Sequence, residues 1–262
     1  MTKKTALITG ASTGIGYELA KCCAADGIDL ILVARNQKRL EEVALELRTA
    51  HSIQADVIAA DLSKASAAAD IARKLGPDRA VDILINNAGF GTSGAFADLP
   101  LQGEVDMIEV NVSSLVRLSH LFLPGMLARK SGKIMNVAST AGFQPGPRMA
   151  NYYASKAYVL SFSEALYEEV RKDGVSVTAF CPGATETPFF DRAKMDNVRL
   201  RKGGMNAVMA ADEAARIGYR GMQRGKAIVI PGLMNRIMAF SVRITPRAVI
   251  RKITGYLNDQ AG

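Results

Sequence analysis

"KTALITGASTGIG", residues 4–16, is the stretch that most constrains the fold. Its first part is a short apolar run typical of a buried strand, and its second part is a glycine-rich turn that opens a helical pattern. Glycine lets phosphate oxygens approach the backbone N–H groups at the start of a helix. The spacing of Gly10, Gly14 and Gly16 fits a dinucleotide site or a structural turn, and their place between a strand and a helix favours the dinucleotide site.

The rest of the chain alternates strand patterns with helical patterns. The further strand candidates are "IDLILVAR", "SIQADVIAADLS", "VDILINNAG", "GKIMNVAS", "GVSVTAFCPG" and "GKAIVIPG". A long helical region covers about 101–129, with Gly103 and Pro124 as candidate interruptions. Strands separated by helices pair in parallel, and strands buried on both faces are apolar almost throughout. We therefore predict an α/β fold, a doubly wound parallel sheet (Rossmann-like) of about seven strands, in a single domain over 1–262.

Two segments depart from this alternation of strand and helix patterns. Residues 188–211 begin with "PFFDRAKMDNVRLRKGGMNA" and are predicted to be a lid over a substrate site. Residues 233–262 alternate apolar and basic residues, which predicts two short amphipathic helices, with Thr245 as N-cap and Pro246 as first helical residue of the second. This extension is interpreted as a membrane-surface contact, a cover for the substrate pocket, a subunit contact or an ordinary solvated surface.

Composition limits the class of protein. Of 262 residues 48% are hydrophobic and 22% are charged, so a folded core is expected. Lys and Arg outnumber Asp and Glu by 33 to 25, but no nucleic-acid motif or dense basic stripe appears, so we expect no nucleic-acid partner. The two histidines lie far apart and show no metal-ligand spacing.

Cysteine usage and the first residues bear on location. The three cysteines, Cys22, Cys23 and Cys181, form no CxxC pair, which indicates a reducing compartment. "MTKKTALITG" runs directly into the first strand without the hydrophobic stretch of a signal peptide, and no segment reaches the length of a spanning helix. A cytoplasmic location is expected, with peripheral membrane contact as the alternative for the C-terminal segment.

The end of the second strand indicates the nucleotide. In "VARNQKR", Ala34 stands where an acidic residue would hold a ribose 2′-hydroxyl, and Arg35 follows it. An arginine suits a 2′-phosphate, so the sequence favours NADP(H), the alternative being a solvated arginine. Asp61 and Leu62 end the third strand and suit an adenine contact. The motif 87–89 (Asn87, Ala88 and Gly89) ends the fourth strand at the edge where such sheets bind ligands.

Four polar residues suggest proton transfer. Tyr152 and Lys156 are four apart on a predicted helix and so share a face. A neighbouring ammonium would lower the phenol pKa from about 10 and make Tyr152 an acid/base group near neutrality. Ser139, at the end of a strand, would bind a substrate carbonyl oxygen. Asn111, polar in an apolar helical stretch, would hold a water that links to Lys156.

Together these motifs resemble the short-chain dehydrogenase/reductase family. "TGASTGIG", "NNAG", Asn111, Ser139, "YYASK" and "PGATET" follow the family's order and spacing over roughly residues 5–190. The resemblance implies a catalytic group of Asn111, Ser139, Tyr152 and Lys156, with Lys156 also on the nicotinamide ribose and Thr187 on its carboxamide. The cofactor contacts expected from these motifs are Gly10, Ser12, Thr13, Gly14, Ile15, Gly16, Arg35, Asp61, Leu62, Asn87, Ala88, Gly89, Tyr152, Lys156, Pro182, Gly183, Thr185 and Thr187.

The predicted function is an NADPH-dependent oxidoreductase that interconverts a carbonyl and an alcohol. The alternative is a dinucleotide-binding sensor or scaffold without turnover, which would have no need of the whole catalytic set. The substrate is expected to be hydrophobic, and no metal is expected. The resemblance suggests a homo-oligomer. Candidate pocket residues between and after the catalytic motifs are Phe143, Gln144, Met149, Phe189 and Phe190.

Overall fold

A computed structural model of the chain describes residues 3–77, 79–189 and 208–259. Its strands are β1 (Thr5–Thr9), β2 (Asp29–Ala34), β3 (Ala55–Ala59), β4 (Ile83–Asn86), β5 (Gly132–Val137), β6 (Val175–Phe180), β7 (Thr185–Glu186), β8 (Met209–Ala210) and β9 (Ile228–Val229). Seven of them form one parallel sheet in the order β3-β2-β1-β4-β5-β6-β9. The predicted doubly wound parallel sheet is confirmed.

Helices cover both faces of this sheet. They are α1 (Gly14–Ala25), α2 (Gln37–His51), α3 (Ala67–Leu75), α4 (Leu101–Ile108), α5 (Ser114–Ala128), α6 (Ala150–Val170), α7 (Ala211–Gln223), α8 (Leu233–Ser241) and α9 (Arg247–Asn258). The buried residues of α1, α2 and α7 pack with Ile8, and those of α3, α5 and α6 pack with Leu7. Neighbouring residues of one strand point to opposite faces, so both helical layers draw on the same apolar run.

The order of the strands places a crevice above β1. This strand pairs with β2 on one side and β4 on the other, so the chain reverses its direction of travel across the sheet between these two neighbours. In open α/β sheets, ligands bind at such a switch point, beyond the carboxyl ends of the strands. The glycine turn after β1 and the motif 87–89 after β4 both lie at this edge.

The long helical region is interrupted at a point that the sequence did not indicate. Gly103 lies inside α4 and Pro124 inside α5, and neither ends its helix. The interruption is a π-helical turn at Glu109–Ser113, which contains Asn111. Because a π-helical turn adds a residue, it shifts the faces of the helix on either side of it, and such turns are frequent at functional sites.

Two predicted boundaries need comment. Most of the predicted lid 188–211 lies outside the described residues and stays a prediction, but Met209–Ala210 pairs with Thr185–Glu186, and α7 already begins at Ala211. In the C-terminal segment, two helices form as expected. The prediction for Thr245 and Pro246 was wrong by one position: Pro246 is the N-cap of α9, and the Thr245 hydroxyl donates to the Ser241 carbonyl of α8.

Candidate active site

A single cleft of about 780 Å³ at the carboxyl edge of the sheet contains the predicted site. Every predicted cofactor residue borders this cleft, and so do four of the five predicted pocket residues, Phe143, Gln144, Met149 and Phe189. Phe190, the fifth, lies outside the described residues. The structure therefore brings together predicted residues that are up to 179 positions apart, from Gly10 to Phe189.

The glycine turn has the geometry that close ligand approach requires. Gly14, the first residue of α1, has φ +57°, a conformation that glycine adopts without strain. A Cβ at this position would lie 3.1 Å from Cγ2 of Thr187, so the Thr187 side chain already occupies the space above the start of α1. The backbone N–H groups of the first turn thus face a narrow cleft, which is suitable for a phosphate.

Asn87 holds the glycine turn through hydrogen bonds to its backbone. Its Nδ2 donates to the carbonyl oxygens of Thr9 at 2.9 Å and Gly10 at 3.2 Å. The backbone N–H groups of Asn87 and Ala88 both donate to the Thr9 hydroxyl at 3.0 Å. The ends of β1 and β4 are therefore fastened to each other, and the Asn87 amide is used within the protein rather than aimed at a ligand.

Cationic side chains border the cleft beyond β2 and β3. Arg35 and Lys64 are exposed there, and Arg39 donates from Nε to the Ser12 carbonyl at 3.4 Å. Burial raises the pKa of Asp61, but two hydrogen bonds from Ser63 and the charge of Arg35 outweigh it and hold this pKa below its usual value. With Ala34 offering no carboxylate, this end of the cleft suits an anionic group.

The catalytic candidates meet near the middle of the cleft. Lys156 is buried, its Nζ donates to the Val137 carbonyl at 2.8 Å, and it lies 5.8 Å from the centroid of the Tyr152 ring. Ser139 follows β5, and its hydroxyl accepts from the N–H of Ala141 at 3.1 Å and donates to the Pro182 carbonyl at 3.4 Å. These bonds hold the hydroxyl beside the phenol of Tyr152.

The pKa values at this centre depend mainly on burial. Burial raises the pKa of Tyr152 above its ordinary value of 10.0, and hydrogen bonding with Ser139 opposes this shift without cancelling it. Burial also lowers the pKa of Lys156 to about 8. The prediction that the nearby ammonium would bring the Tyr152 pKa down was wrong for the protein alone, because desolvation of the phenolate is the largest influence on this pKa. Tyr152 is thus protonated at neutral pH.

Asn111 lies behind the cleft wall rather than on it. Its Oδ1 accepts from the N–H of Phe90, and its Nδ2 donates to the Phe90 carbonyl and the Ser155 hydroxyl, all at 3.0 Å. A Cβ on Gly89 would lie 3.1 Å from Asn111 Oδ1 and 3.3 Å from Lys156 Nζ, so the amide and the ammonium approach the same point. The predicted water between them stays a prediction.

The C-terminal helices form the far wall of the substrate end. Asn235, Met238 and Val242 of the α8 segment and Ile250, Ile253 and Leu257 of α9 border the cleft. Side-chain hydrogen bonds fix α9 to the loop before α6: Thr254 donates to the Pro145 carbonyl at 2.8 Å, and Asn258 donates to the Pro147 carbonyl at 2.9 Å. Of the interpretations given for residues 233–262, a cover over the substrate pocket is the one that accounts for the side of α8 and α9 that faces the cleft.

Comparison with known proteins identifies the family. The model of the family described as short chain dehydrogenase matches residues 4–197, well over half of the 262 residues. The chain belongs to the short-chain dehydrogenase family. The predicted resemblance is confirmed, and with it the class of enzyme: an oxidoreductase that interconverts carbonyl and alcohol groups.

Solved structures and curated relatives agree with this assignment. A short-chain dehydrogenase from Sphingobium yanoikuyae in complex with NADPH is 35% identical, with TM-score 0.82 over 92% of this chain and 93% of that chain. A bulky-bulky ketone specific alcohol dehydrogenase from Comamonas testosteroni is 31% identical, with TM-score 0.78 over 95% and 97%. A very-long-chain 3-oxoacyl-CoA reductase from Laccaria bicolor is 38% identical over 66% of this chain, but over only 52% of its own length.

Several residues of this dehydrogenase's site were missed in the sequence. Asn36, Ser63 and Lys64 border the nucleotide end, and the α8 and α9 residues border the substrate end. The second group did carry a signal. Positions 235, 238 and 242, and likewise 250, 253 and 257, follow the i, i+3, i+7 spacing of one helix face. No comparable regularity marks Lys64, which the turn after β3 brings beside Arg35.

Proposed function

We propose that this chain reduces hydrophobic ketones or aldehydes with NADPH, using Tyr152 as the proton donor. The observation that carries the proposal is the convergence of Ser139, Tyr152 and Lys156 at the middle of one cleft, between a basic nucleotide end and an apolar substrate end. Each part alone is common in proteins. Their arrangement along one cleft matches the order in which a dinucleotide phosphate, a reacting carbonyl and an apolar chain would lie.

The nucleotide end supports NADP(H) as the cofactor. Arg35 and Lys64 offer positive charge where Ala34 offers no carboxylate, and the structure of the Sphingobium yanoikuyae relative contains NADPH. Arginine binds a phosphate through paired N–H donors, which suits the 2′-phosphate that distinguishes NADPH from NADH. NADPH, when bound, supplies a hydride to the carbonyl carbon.

The protein's own part is to position and protonate the carbonyl oxygen. A protonated Tyr152 gives its hydroxyl proton to that oxygen as negative charge develops there. The Ser139 hydroxyl is positioned by the N–H of Ala141, and its one proton turns from the Pro182 carbonyl to the substrate oxygen when the substrate binds. Lys156, when protonated, stabilises the resulting phenolate. For the reverse reaction the phenol must first lose its proton, so that Tyr152 acts as a base.

The substrate end supports a bulky, apolar substrate. Its walls include Phe143, Met149 and Phe189, and the ring centroids of Tyr152 and Phe189 lie 5.2 Å apart. Apolar residues of α8 and α9 complete the wall. The bulky-bulky ketone specific alcohol dehydrogenase and the very-long-chain 3-oxoacyl-CoA reductase named above are consistent with this class. We propose that the part of the predicted lid 188–211 that precedes β8 closes over the substrate.

The first experiment is a screen of ketones and aldehydes of increasing size, following NADPH oxidation at neutral pH. We expect turnover that improves with apolar bulk and a Tyr152→Phe variant that binds NADPH normally but loses roughly 10²–10⁴-fold in kcat. NADPH binding is measured separately by its fluorescence. A Tyr152→Phe enzyme with unchanged turnover would refute the proposed role, and NADPH binding without turnover on any carbonyl would support the sensor alternative.

We also propose that the chain forms a homo-oligomer through α4. Leu101, Val105 and Ile108 are exposed and spaced i, i+4, i+7, so they form one apolar stripe. A stripe of this kind is self-complementary across a two-fold axis. Light scattering of the purified protein would measure its mass, and Val105→Glu should reduce it to the monomer. A monomeric native protein would exclude the proposal.

A cytoplasmic location is the one that we propose, with any membrane contact made from the surface. The three cysteines Cys22, Cys23 and Cys181 are all unpaired, which suits a reducing compartment. Among the described helices, no segment has both the length and the hydropathy that crossing a bilayer requires. Fractionation of cells into soluble and membrane fractions, with and without high salt, tests this proposal.

A further inference from the structure

The outer side of α8 and α9 carries an unusual amount of exposed apolar surface. We call it the C-terminal apolar surface and define it by Leu233, Ile237, Phe240, Ile244, Val249 and Ile253. The exposed fractions of these six side chains lie between 45% and 74%. Leu233, Ile237 and Phe240 form one stripe along α8, and Ile244 lies in the turn after that helix. Val249 and Ile253 form a second stripe along α9. Contiguous exposed apolar residues usually mark a surface that binds another protein, a membrane or a ligand.

The charged residues of the segment 233–258 are all of one sign, and Asp259, which follows this segment, is paired with Arg148. Residues 233–258 contain Arg236, Arg243, Arg247, Arg251 and Lys252 and no Asp or Glu. All five cations are exposed, and none of them forms an ion pair with a carboxylate of the described residues. An apolar stripe flanked by unpaired cations is the composition of helices that lie on anionic membranes.

The same two helices line the substrate end of the cleft with their inner sides. Met238 and Val242 face the cleft, whereas Ile237 and Phe240 of the same helix segment do not border it. Ile253 belongs to both sets, because it borders the cleft and is 52% exposed. The rim of the substrate end therefore adjoins the C-terminal apolar surface.

We propose that the C-terminal apolar surface docks on an anionic lipid bilayer and that the hydrophobic carbonyl substrate enters the cleft from that bilayer past Ile253. The docking part stands on the exposed stripes and the unpaired cations, while the entry part rests on the function proposed above. A second copy of the chain fits less well, because a two-fold interface would place one set of five cations against another. Anionic headgroups neutralise these charges, and the acyl region accepts the apolar side chains.

The docking test uses flotation of the full chain with vesicles of phosphatidylcholine alone or mixed with phosphatidylglycerol. We expect binding to the anionic vesicles that high salt weakens. The double variant Arg243→Ala/Arg251→Ala should bind roughly thirtyfold more weakly, about fivefold for each cation removed. The double variant Phe240→Ser/Ile244→Ser should bind the anionic vesicles more than roughly tenfold more weakly than the wild type. The matched controls Leu45→Ser and Arg48→Ala change an exposed apolar and an exposed basic residue of α2, and should bind normally.

The entry test compares two substrates, a water-soluble ketone in buffer and a long-chain ketone carried in anionic vesicles. None of the four substituted C-terminal positions borders the cleft, so turnover of the soluble ketone should not change. Turnover of the vesicle-borne ketone should fall in proportion to lost binding. Flotation does not depend on turnover, so an inactive protein that still floats would refute the proposed function and leave docking intact.

Three results would overturn the docking proposal. The full chain could fail to float with anionic vesicles. The C-terminal variants could float as well as the α2 controls. The full chain could fail to bind vesicles while Phe240→Ser/Ile244→Ser has half the wild-type mass by light scattering. That pair of results would assign the surface to a second copy of the chain. Equal turnover of the vesicle-borne ketone by all variants would overturn the entry route alone.

Discussion

The Tyr153 hydroxyl donates a 3.1 Å hydrogen bond to Oδ1 of Asn258, a residue 105 positions further along the chain. Both side chains are buried, and Nδ2 of Asn258 donates to the Pro147 carbonyl at 2.9 Å. Because Tyr153 adjoins the proton donor Tyr152, this pair joins the catalytic helix α6 to the helix that closes the substrate end. The shape of that end therefore depends on α9 staying docked.

Asn258→Ala should loosen the substrate end of the cleft. It removes both hydrogen bonds and leaves the Tyr153 hydroxyl buried without its acceptor, which costs about 1–3 kcal/mol. We expect a lower midpoint in urea and a raised KM for bulky ketones, with little change in kcat for a small aldehyde. The neighbouring Asp259→Ala is the matched control, since it breaks only the 3.1 Å pair with Arg148, in which both side chains are about half exposed. Equal losses in the two variants would contradict the role assigned to Asn258.

Arg35→Ala should weaken the preference for NADPH over NADH. A hydrogen bond to a charged group is worth about 1.5–3 kcal/mol, so KM for NADPH should rise roughly ten- to a hundredfold. KM for NADH should stay nearly constant, because NADH lacks the 2′-phosphate. The measurement is initial rates with both cofactors at a fixed carbonyl. Arg48→Ala, an exposed arginine at the far end of α2, controls for a general loss of positive charge. A parallel rise in both KM values would exclude the assignment.

Lys156 should make the stability of the cofactor-free protein depend on pH. Burial lowers its pKa from 10.5 to about 8, so between these values the unfolded chain binds a proton on this lysine that the folded chain lacks. Stability rises with pH wherever the unfolded state binds more protons. The contribution of Lys156 to the free energy of unfolding should thus increase, by on the order of 1–3 kcal/mol, as pH rises from about 8 towards 10. The buried thiols of Cys23 and Cys181 act in the opposite sense above their ordinary pKa of 9.0, because burial raises both pKa values.

Urea unfolding at several pH values measures this effect. The difference in unfolding free energy between the wild type and Lys156→Met isolates the contribution of this lysine and should grow as pH rises. The difference between the wild type and Lys172→Met, at an exposed position, should stay constant. The range ends at pH 10 because the raised pKa of Tyr152 acts in the opposite sense above that value. The assignment fails if the wild type and Lys156→Met show the same dependence.

The elements that the sequence predicted best are those whose signal is local. The apolar run "TALIT" becomes β1, and the glycine turn becomes the start of α1, because strand burial and helix initiation depend on neighbouring residues. The four-residue spacing of Tyr152 and Lys156 correctly placed them near each other, with 5.8 Å between Nζ and the ring centroid. Spacing carries no information on desolvation, so the direction of the Tyr152 pKa shift was predicted wrongly.

What the sequence left open depends on distant contacts. The π-helical turn around Asn111 is fixed by the Phe90 backbone and Ser155, and no run of residues within the helix indicates it. The C-terminal helices had several interpretations because their inner and outer sides are both apolar, which conceals the usual contrast between a core face and a solvent face. The contacts of Thr254 and Asn258 with the loop before α6, and of Asn258 with Tyr153, select the inner side.

Val242→Trp should change the size of substrate that the enzyme accepts. Val242 follows α8 and borders the cleft, so a larger side chain there narrows its substrate end. We expect kcat/KM for bulky ketones to fall at least roughly tenfold, as a lost apolar contact of about 1.5 kcal/mol or a steric clash would produce, while a small aldehyde is turned over normally.

Val249→Trp is the matched control, because Val249 is 45% exposed and does not border the cleft. Both variants are assayed in buffer without vesicles, so that the C-terminal apolar surface has no part in the result. If Val242→Trp and Val249→Trp show the same size profile, α8 does not form the wall that limits the substrate, and the apolar end of the site must lie elsewhere along the cleft.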